Sequence, residues 1–160
     1  RYAARILSTV VGDESGSRLF WKLIDTGRAE CAVMYSYEYQ GTGIFMSMLC
    51  GVPADTPENL QEILITLREV ESGGITEEEL SQAQNKICSH VVLQSERPTN
   101  RLFSLGDNWV QRHTYQKVRD VIAAYQAVSL HDVTDVLRQY PRTAHSTVAG
   151  GPLRDLPRPA

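Results

Sequence analysis

The first thirty residues form two helical segments, judged by the spacing of their apolar side chains. Apolar residues at helical spacing predict a first helix with one buried stripe, made of Tyr2, Ile6, Leu7, Val10 and Val11. The sequence Gly-Asp-Glu-Ser-Gly at 12–16 ends this helix. Ser17 is a suitable N-cap for a second, short helix that carries Leu19, Phe20 and Leu23.

Alternation with period two then predicts an antiparallel hairpin. The first strand runs from Cys31 to Tyr39, and one of its faces carries Val33, Tyr35, Tyr37 and Tyr39. Turn residues at 40–43 connect it to a more apolar strand at 44–50. We expect the tyrosine face to pack beneath helices, since strands favour aromatic residues in general. A peptide-binding strip is the alternative interpretation of this row.

After Pro53 the apolar pattern changes to the helical period for nearly the whole remaining chain. Thr56, Thr76 and Ser129 are predicted caps, and Thr76 with Glu79 has the spacing of a capping box. Pro98 interrupts the run. The expected apolar stripes are Leu60, Ile63, Leu64, Leu67, Val70; Leu80, Ala83, Ile87, Val91; Leu102, Leu105, Trp109, Val110; Val118, Val121, Ile122, Tyr125; and Val133, Val136, Leu137, Tyr140. The β-prone segment 143–149 is a candidate further strand.

This order of elements predicts an α+β fold, in which several helices cover one face of an antiparallel-rich sheet. With 160 residues, 42% of them hydrophobic, the chain is long enough for one core. We expect a single domain over residues 1–150. The Pro- and Arg-rich residues 151–160 are expected to be a linker or tail.

Charge and cysteine content exclude several classes of partner. The formal net charge is -3, so there is no basic field to bind a phosphate backbone, and we expect no nucleic-acid partner. No signal-peptide core and no apolar run of about 18 residues occurs, so we expect no membrane partner. The three cysteines, Cys31, Cys50 and Cys88, lack framework spacing and are expected to be reduced thiols.

Four motifs in a fixed order carry a family resemblance. They are Ser17-Arg18-Leu19-Phe20 within the stretch 12–33, the helix opening from Pro57 to Glu62, the Gly-Ile-Thr-Glu-Glu-Glu-Leu segment at 74–80, and the helix start at 128–133. The pattern resembles one half-domain of the pitrilysin/insulinase-type zinc metallopeptidases, which have the LuxS/mitochondrial processing peptidase-like fold. By this resemblance the chain is missing the opening strand that precedes the first helix in the family.

The resemblance implies a domain that has the family's fold but lacks its catalytic residues. Family members hold zinc with H-x-x-E-H plus a downstream Glu, and this motif is absent. The nearest pair with helical spacing, His131 and Asp135, is expected to be an accidental surface pair, because zinc needs three or four ligands. The Arg and Tyr that assist catalysis in some family domains fall on Ile24 and Cys31. We therefore expect no catalytic, cofactor-binding or metal-binding residue, with zinc in the parent protein or a partner domain.

The expected role is that of a non-catalytic, C-terminal domain that supplies chamber wall and encloses a peptide hydrolysed by a partner domain. Its expected partners are other half-domains, the peptide substrate, and a second copy paired through an exposed sheet edge. The alternative is a structural pseudo-peptidase, a core subunit of a larger complex. Arg18 is expected to be structural and to contact Asp13, Glu14 or loop carbonyls. Arg28 is expected to be a solvated turn residue.

Overall fold

The computed structural model describes residues 1–141 and 145–152. They form six helices and one antiparallel hairpin, which confirms the α+β class. The elements in chain order are helix α1 (Tyr2–Gly12), a π-helical turn (Phe20–Ile24), strands β1 (Cys31–Tyr39) and β2 (Thr42–Cys50), a short 3-10 turn (Pro53–Asp55), and helices α2 (Thr56–Gly73), α3 (Glu77–Ser95), α4 (Pro98–Arg112), α5 (Val118–Gln126) and α6 (Leu130–Gln139).

Helix α1 is the centre of the core. Eight of its eleven residues are buried, and Ile6, Leu7 and Val11 have no exposed surface. Strand β1 packs against it, as do α3, α5 and α6. The sequence predicts one buried stripe on this helix, whereas the neighbouring elements bury most of its surface.

The contact between α1 and the sheet depends on Gly12. A Cβ atom at this position would lie 2.3 Å from the backbone nitrogen of Met34 and 2.6 Å from its Cβ. Strand β1 can approach the end of α1 this closely because position 12 carries no side chain. The face of β1 that holds Ala32 and Met34 is thereby fixed against the helices.

The sheet consists of β1 and β2 within the described part of the chain. The register pairs Cys31 with Cys50 and Tyr39 with Thr42, so only Gln40 and Gly41 form the turn. The predicted strand at 143–149 is not found in its described portion. Residues 145–149 have no regular structure, and the side chain of Val148 is 96% exposed. Strand propensity alone does not form a strand, because a strand also needs backbone hydrogen bonds to a neighbouring strand.

Thr143, Ala144 and most of the predicted tail at 151–160 lie outside the described residues.

Three of the four predicted caps are confirmed, and the cap at Thr56 is wrong: Thr56 is the first residue of α2, Asp55 precedes it without a side-chain cap bond, and the Thr56 hydroxyl donates to the carbonyl of Val52 at 3.1 Å. Thr76 and Glu79 form a reciprocal capping box at the start of α3, and Ser129 and Asp132 form another at the start of α6. Ser17 Oγ accepts a hydrogen bond from the backbone N–H of Phe20 at 3.1 Å, as an N-cap residue does. These bonds connect residues three apart in the chain, so their geometry depends little on the rest of the fold.

Arg18 joins the corner after α1 to the start of α3. Its Nε and Nη2 donate to the two carboxylate oxygens of Glu79 at 2.7 and 2.8 Å, and Nη2 also donates to the carbonyl of Gly74 at 3.0 Å. The expected bond to a loop carbonyl is confirmed, whereas Asp13 and Glu14 are the wrong partners.

Each of the two expected acidic partners of Arg18 contacts a different residue. The carboxylate of Asp13 pairs with Lys86, and that of Glu14 accepts a bond from the hydroxyl of Tyr35.

Helix α4 turns three of its four expected stripe residues outward, and only Leu105 is half-buried. Its expected stripe residues Leu102, Trp109 and Val110 are 69%, 59% and 66% exposed. Polar groups attach this helix to the rest of the molecule instead. Arg112 forms a salt bridge with Glu38 at 2.5 Å, and the side chain of Gln40 donates to the carbonyl of Val110 at 3.1 Å. The prediction of a helix is confirmed, but the assignment of its buried face is wrong.

Replacing Gly12 with alanine should destabilise the fold by about 1–3 kcal/mol, because the new methyl group would overlap the backbone of β1. Urea denaturation of the purified chain measures this change. Gly73→Ala is the matched control, since a Cβ there meets no atom within 4 Å. Equal stability of Gly12→Ala and the parent chain would contradict the close packing of α1 on β1.

Arg18→Ala should lower the free energy of unfolding by about 1 kcal/mol at neutral pH. The expected loss is this small because solvent partly screens the ion pair. The bond from Arg18, followed by that from Thr76, lowers the pKa of the Glu79 carboxyl. A lowered folded-state pKa gives stability that is present above the unfolded pKa and is lost as pH falls through the folded pKa. The difference between variant and parent should therefore shrink in acid.

Denaturant titrations at neutral pH and near pH 3 test this dependence. Arg138→Ala is the control, because Arg138 pairs only at 4.0 Å with Asp135 and is 73% exposed. A loss for Arg18→Ala that is the same at both pH values would show that the Glu79 carboxylate is not what Arg18 stabilises.

Candidate functional site

The positions that correspond to catalytic helpers by resemblance lie at the edge of the core. Ile24 ends the π-helical turn and packs, partly buried, against the core cluster. Cys31 begins β1 directly opposite Cys50. Burial, and then the neighbouring Cys50, raises the pKa of the Cys31 thiol, so it stays protonated near neutral pH. Neither side chain can stabilise an oxyanion by a strong hydrogen bond.

The histidines do not form a metal site in the described part of the chain. His131 Nε2 lies 3.4 Å from Asp135 Oδ2, and these two side chains are 76% and 54% exposed. His90, His113 and His145 are also exposed, on α3, just after α4 and near the end of the chain. Among the described residues no three His, Cys, Asp or Glu side chains are grouped so as to hold an ion. The arrangement does not fit a zinc site.

Arg28 is half-buried in the turn before β1, less solvated than expected, with its guanidinium 3.8 Å from the Glu58 carboxylate. Its carbonyl accepts a bond from the buried Asn59 side chain at 2.7 Å. The residue thus contributes to the contact between this turn and α2.

The two faces of the hairpin have different environments. On one face Ala32 and Met34 are 1% and 3% exposed, and Phe45 and Leu49 pack against the helical core beside them. The other face points away from this core. Since side chains alternate along a strand, covering the first face with helices turns the second face outward.

We call this second surface the open sheet face. Cross-strand pairs along it are Val33 with Met48, Tyr35 with Met46 and Tyr37 with Ile44. Its residues are Val33, Tyr35, Tyr37, Tyr39, Ile44, Met46 and Met48. It contains no charged side chain.

The open sheet face is unevenly exposed: Val33 is only 5% exposed, whereas the residues toward the hairpin turn and Met48 are accessible. Tyr37 is 41% exposed, Tyr39 53%, Ile44 51% and Met48 43%. The rings of Tyr35 and Tyr37 lie 6.1 Å apart, centre to centre, and tilted. The expectation of a covered tyrosine row is therefore wrong for Tyr37 and Tyr39, which are accessible, whereas Tyr35 is half-buried.

A cleft of about 640 Å³ lies beside the same end of the hairpin. Strand residues such as Tyr37 and Ile44 border it on one side. Its other walls come from the start of α1 and from α4, α5 and α6, with Arg5, Arg112 and Tyr125 among the lining residues. The lining combines aromatic side chains with charged ones, a mixture that can hold an organic chain by apolar contact and by hydrogen bonds.

The open sheet face, which the sequence suggests only as an alternative, is thus the candidate contact surface. Its signal is the alternation of Tyr35, Tyr37 and Tyr39 opposite Ile44, Met46 and Met48, which makes both faces of the hairpin apolar. A hairpin with two apolar faces needs a covering layer on each side. Helices supply only one such layer in the described part of the molecule. Among the described residues no helix is long and apolar enough to cross a membrane.

Solved structures share this fold. A protease from Helicobacter pylori matches with a TM-score of 0.72 and 22% identity, covering 87% of this chain and 34% of that one. A chain of complex III2 from Candida albicans, with Inz-5 bound, matches with a TM-score of 0.76 and 15% identity, covering 86% and 35%. The inactive peptidase domain of a provisionally named zinc protease from Bordetella parapertussis matches with a TM-score of 0.69 and 19% identity, covering 87% and 76%.

The chain therefore spans about a third of the length of the first two of these structures and three quarters of the third. At these identities the likeness shows the fold. No curated protein matches the sequence at a significant level.

A family model assigns the sequence directly. The model described as the peptidase M16 inactive domain matches residues 1–87, more than half of the 160. This segment contains α1, the Arg18 corner, the hairpin, α2 and the first half of α3. It thus includes α1 at the centre of the core and both strands of the open sheet face. The chain belongs to the peptidase M16 inactive-domain family.

Proposed function

We propose that the chain is the non-catalytic, C-terminal domain of a zinc-dependent peptidase, in which a partner domain carries the metal and hydrolyses the peptide. The observation that carries this proposal is the open sheet face, an apolar strand surface opposite the helical layer. The family assignment supports an inactive domain. The described residues do not fit a metal ion, so zinc is assigned to the partner domain.

The open sheet face is suited to forming the wall of a chamber. Tyrosine and methionine offer large apolar contact surfaces that adapt to different peptide side chains. Because no charged side chain interrupts this face, it does not select peptides by charge. Exposed apolar surface of this kind marks an interaction site in a folded protein. In the proposed role it contacts substrate and excludes water, while the chemistry takes place elsewhere.

The edges of the hairpin offer a second mode of contact. Within the described residues β1 and β2 pair only with each other, so each has an outer edge without a strand neighbour. Unpaired edges recruit other strands, and a peptide substrate, a partner half-domain or a second copy can supply one. Strand pairing gives affinity through main-chain hydrogen bonds, whereas the tyrosine side chains supply apolar contact.

A structural role in a larger assembly is the second candidate. The likeness to a chain of complex III2 favours it, since that chain has the same fold within a multi-subunit complex. The two candidates differ in one observable feature of the parent gene and its neighbours. An H-x-x-E-H motif encoded there supports the peptidase proposal, and its absence supports the structural one.

The isolated chain should bind no stoichiometric zinc and cleave no peptide, because the described residues offer no ligand set. Metal analysis after dialysis, and a fluorogenic peptide assay with and without added zinc, measure both properties. Activity should appear when the zinc-bearing domain is present. Tight zinc or chelator-sensitive turnover that copurifies with the chain would contradict the proposal, and Asp135→Ala would then test the His131 pair.

The double variant Tyr37→Thr/Ile44→Thr should weaken peptide binding by the assembled peptidase and raise KM by about tenfold, because a cross-strand pair of the open sheet face is lost. Threonine favours strands, so the variant should keep strands β1 and β2. Zinc content should not change. Ile65→Thr/Val92→Thr is the matched control, since these side chains are 41% and 42% exposed on α2 and α3. Equal KM values for the two double variants would remove the open sheet face from substrate contact.

A further inference from the structure

The outward face of α4 is an apolar stripe that the proposed function does not use. Leu102 and Phe103 are 69% and 70% exposed, and Trp109 and Val110 are 59% and 66% exposed. None of the described residues of α4 is fully buried. A surface helix normally turns its apolar side inward, so this inverted orientation needs a covering partner.

The stripe is symmetric about Gly106. Leu102 and Phe103 lie four and three residues before this glycine, and Trp109 and Val110 lie three and four residues after it. Positions three and four residues apart share one face of a helix, so all five residues lie on the outward side. A Cβ at Gly106 would meet no atom within 4 Å, which shows that the middle of the stripe is open.

We propose that the α4 stripe is a two-fold contact between two copies of this chain, with the helices antiparallel and crossing at Gly106. In this arrangement Leu102 and Phe103 of one copy face Val110 and Trp109 of the other. A two-fold interface requires such self-complementarity, because the same patch serves both sides. The missing side chain at position 106 allows the two backbones to approach at the crossing point.

The size of the stripe is consistent with a weak dimer. At their observed exposures the four large side chains present roughly 500 Å² per copy, from the area that residues of this size bury. Two copies would then bury about 1,000 Å² in total, close to the lower limit for a specific interface. We therefore expect association in the micromolar range, without obligate pairing.

A partner half-domain and a membrane surface are the other partners that this helix can have, and the symmetry of the stripe about Gly106 favours a second copy over a half-domain of different sequence. Two observations favour a second copy over a membrane surface. The net charge of -3 does not attract anionic lipid, and an interfacial helix gains nothing from a glycine at the centre of its apolar side. The polar side of α4 is also bound to the molecule through Arg112 and Glu38, which holds the stripe at a fixed orientation suited to a defined interface.

Sedimentation velocity of the full chain from about 1 to 500 μM tests the proposal, a range that brackets micromolar affinity. The parent chain should shift from monomer to dimer. Gly106→Glu should remain monomeric throughout, because two carboxylates and their stems would meet at the two-fold axis. Glutamate has a higher helix propensity than glycine, so circular dichroism and the melting temperature should show that the variant folds.

Ser104→Glu is the matched control, since it places the same side chain on an exposed position of α4 opposite the stripe, and it should dimerise like the parent chain. In the proposed dimer, position 106 of one copy should also lie next to position 106 of the other copy. Mild copper-catalysed oxidation by air should therefore cross-link Gly106→Cys between copies faster than Ser104→Cys, each measured against the background from Cys50.

Four results would overturn the proposal: a parent chain that stays monomeric, a dimer unaffected by Gly106→Glu, equal loss of the dimer in Ser104→Glu, or cross-linking that is no faster at position 106 than at 104. If hydrogen exchange showed concentration-dependent protection of β1 and β2 amides instead of α4, the contact would lie at the sheet edge. Binding of a monomeric chain to vesicles of anionic phospholipid would assign the stripe to a membrane surface.

Discussion

The packing of α1 against β1 is the constraint on which the other contacts depend. Gly12 brings the helix so close to the backbone of Met34 that the two elements have one defined relative position. The remaining sides of α1 are then available to α3, α5 and α6, which bury Ile6, Leu7 and Val11 completely. A protein of this size gains most of its stability from such burial, so the helix at its centre determines where the surrounding elements can lie.

The same constraint explains why two apolar surfaces remain exposed. Once α1 occupies the face of the hairpin that carries Ala32 and Met34, strand geometry directs Tyr37 and Ile44 away from the helices. Once Glu38 and Gln40 near the hairpin turn bind the polar side of α4, its apolar stripe faces solvent. Neither exposure is a defect of folding, because each follows from contacts that hold the opposite side of the element in place. Both surfaces are therefore available to partners.

The features that sequence could predict are those encoded within a few residues. The limits of β1, the capping box of Thr76 and Glu79, and the break at Pro98 follow from neighbouring side chains. The helical spacing of apolar residues also predicts where the helices lie, since this spacing depends only on the local sequence. Sequence alone could not select Glu79 as the partner of Arg18, 61 residues away, in preference to the adjacent Asp13. Whether the tyrosine row and the α4 stripe face the core or the solvent likewise depends on which face another element covers. The spacing of apolar residues along the chain shows that a strand or helix has an apolar face, but not which element covers it.

The candidate site was less accessible to sequence reasoning than the fold for the same reason. Motifs identify catalytic residues because chemistry requires particular side chains at particular spacings, and the described residues contain no group of His, Cys, Asp and Glu suited to a metal ion. A contact surface needs only apolar side chains that remain uncovered, and the same side chains also build cores. Ile24 illustrates the difference. Its side chain packs, partly buried, against the core, where an arginine would have to bury its charge or displace its neighbours. A packing role of this kind follows from the fold, and no spacing in the sequence distinguishes it from a position that serves chemistry.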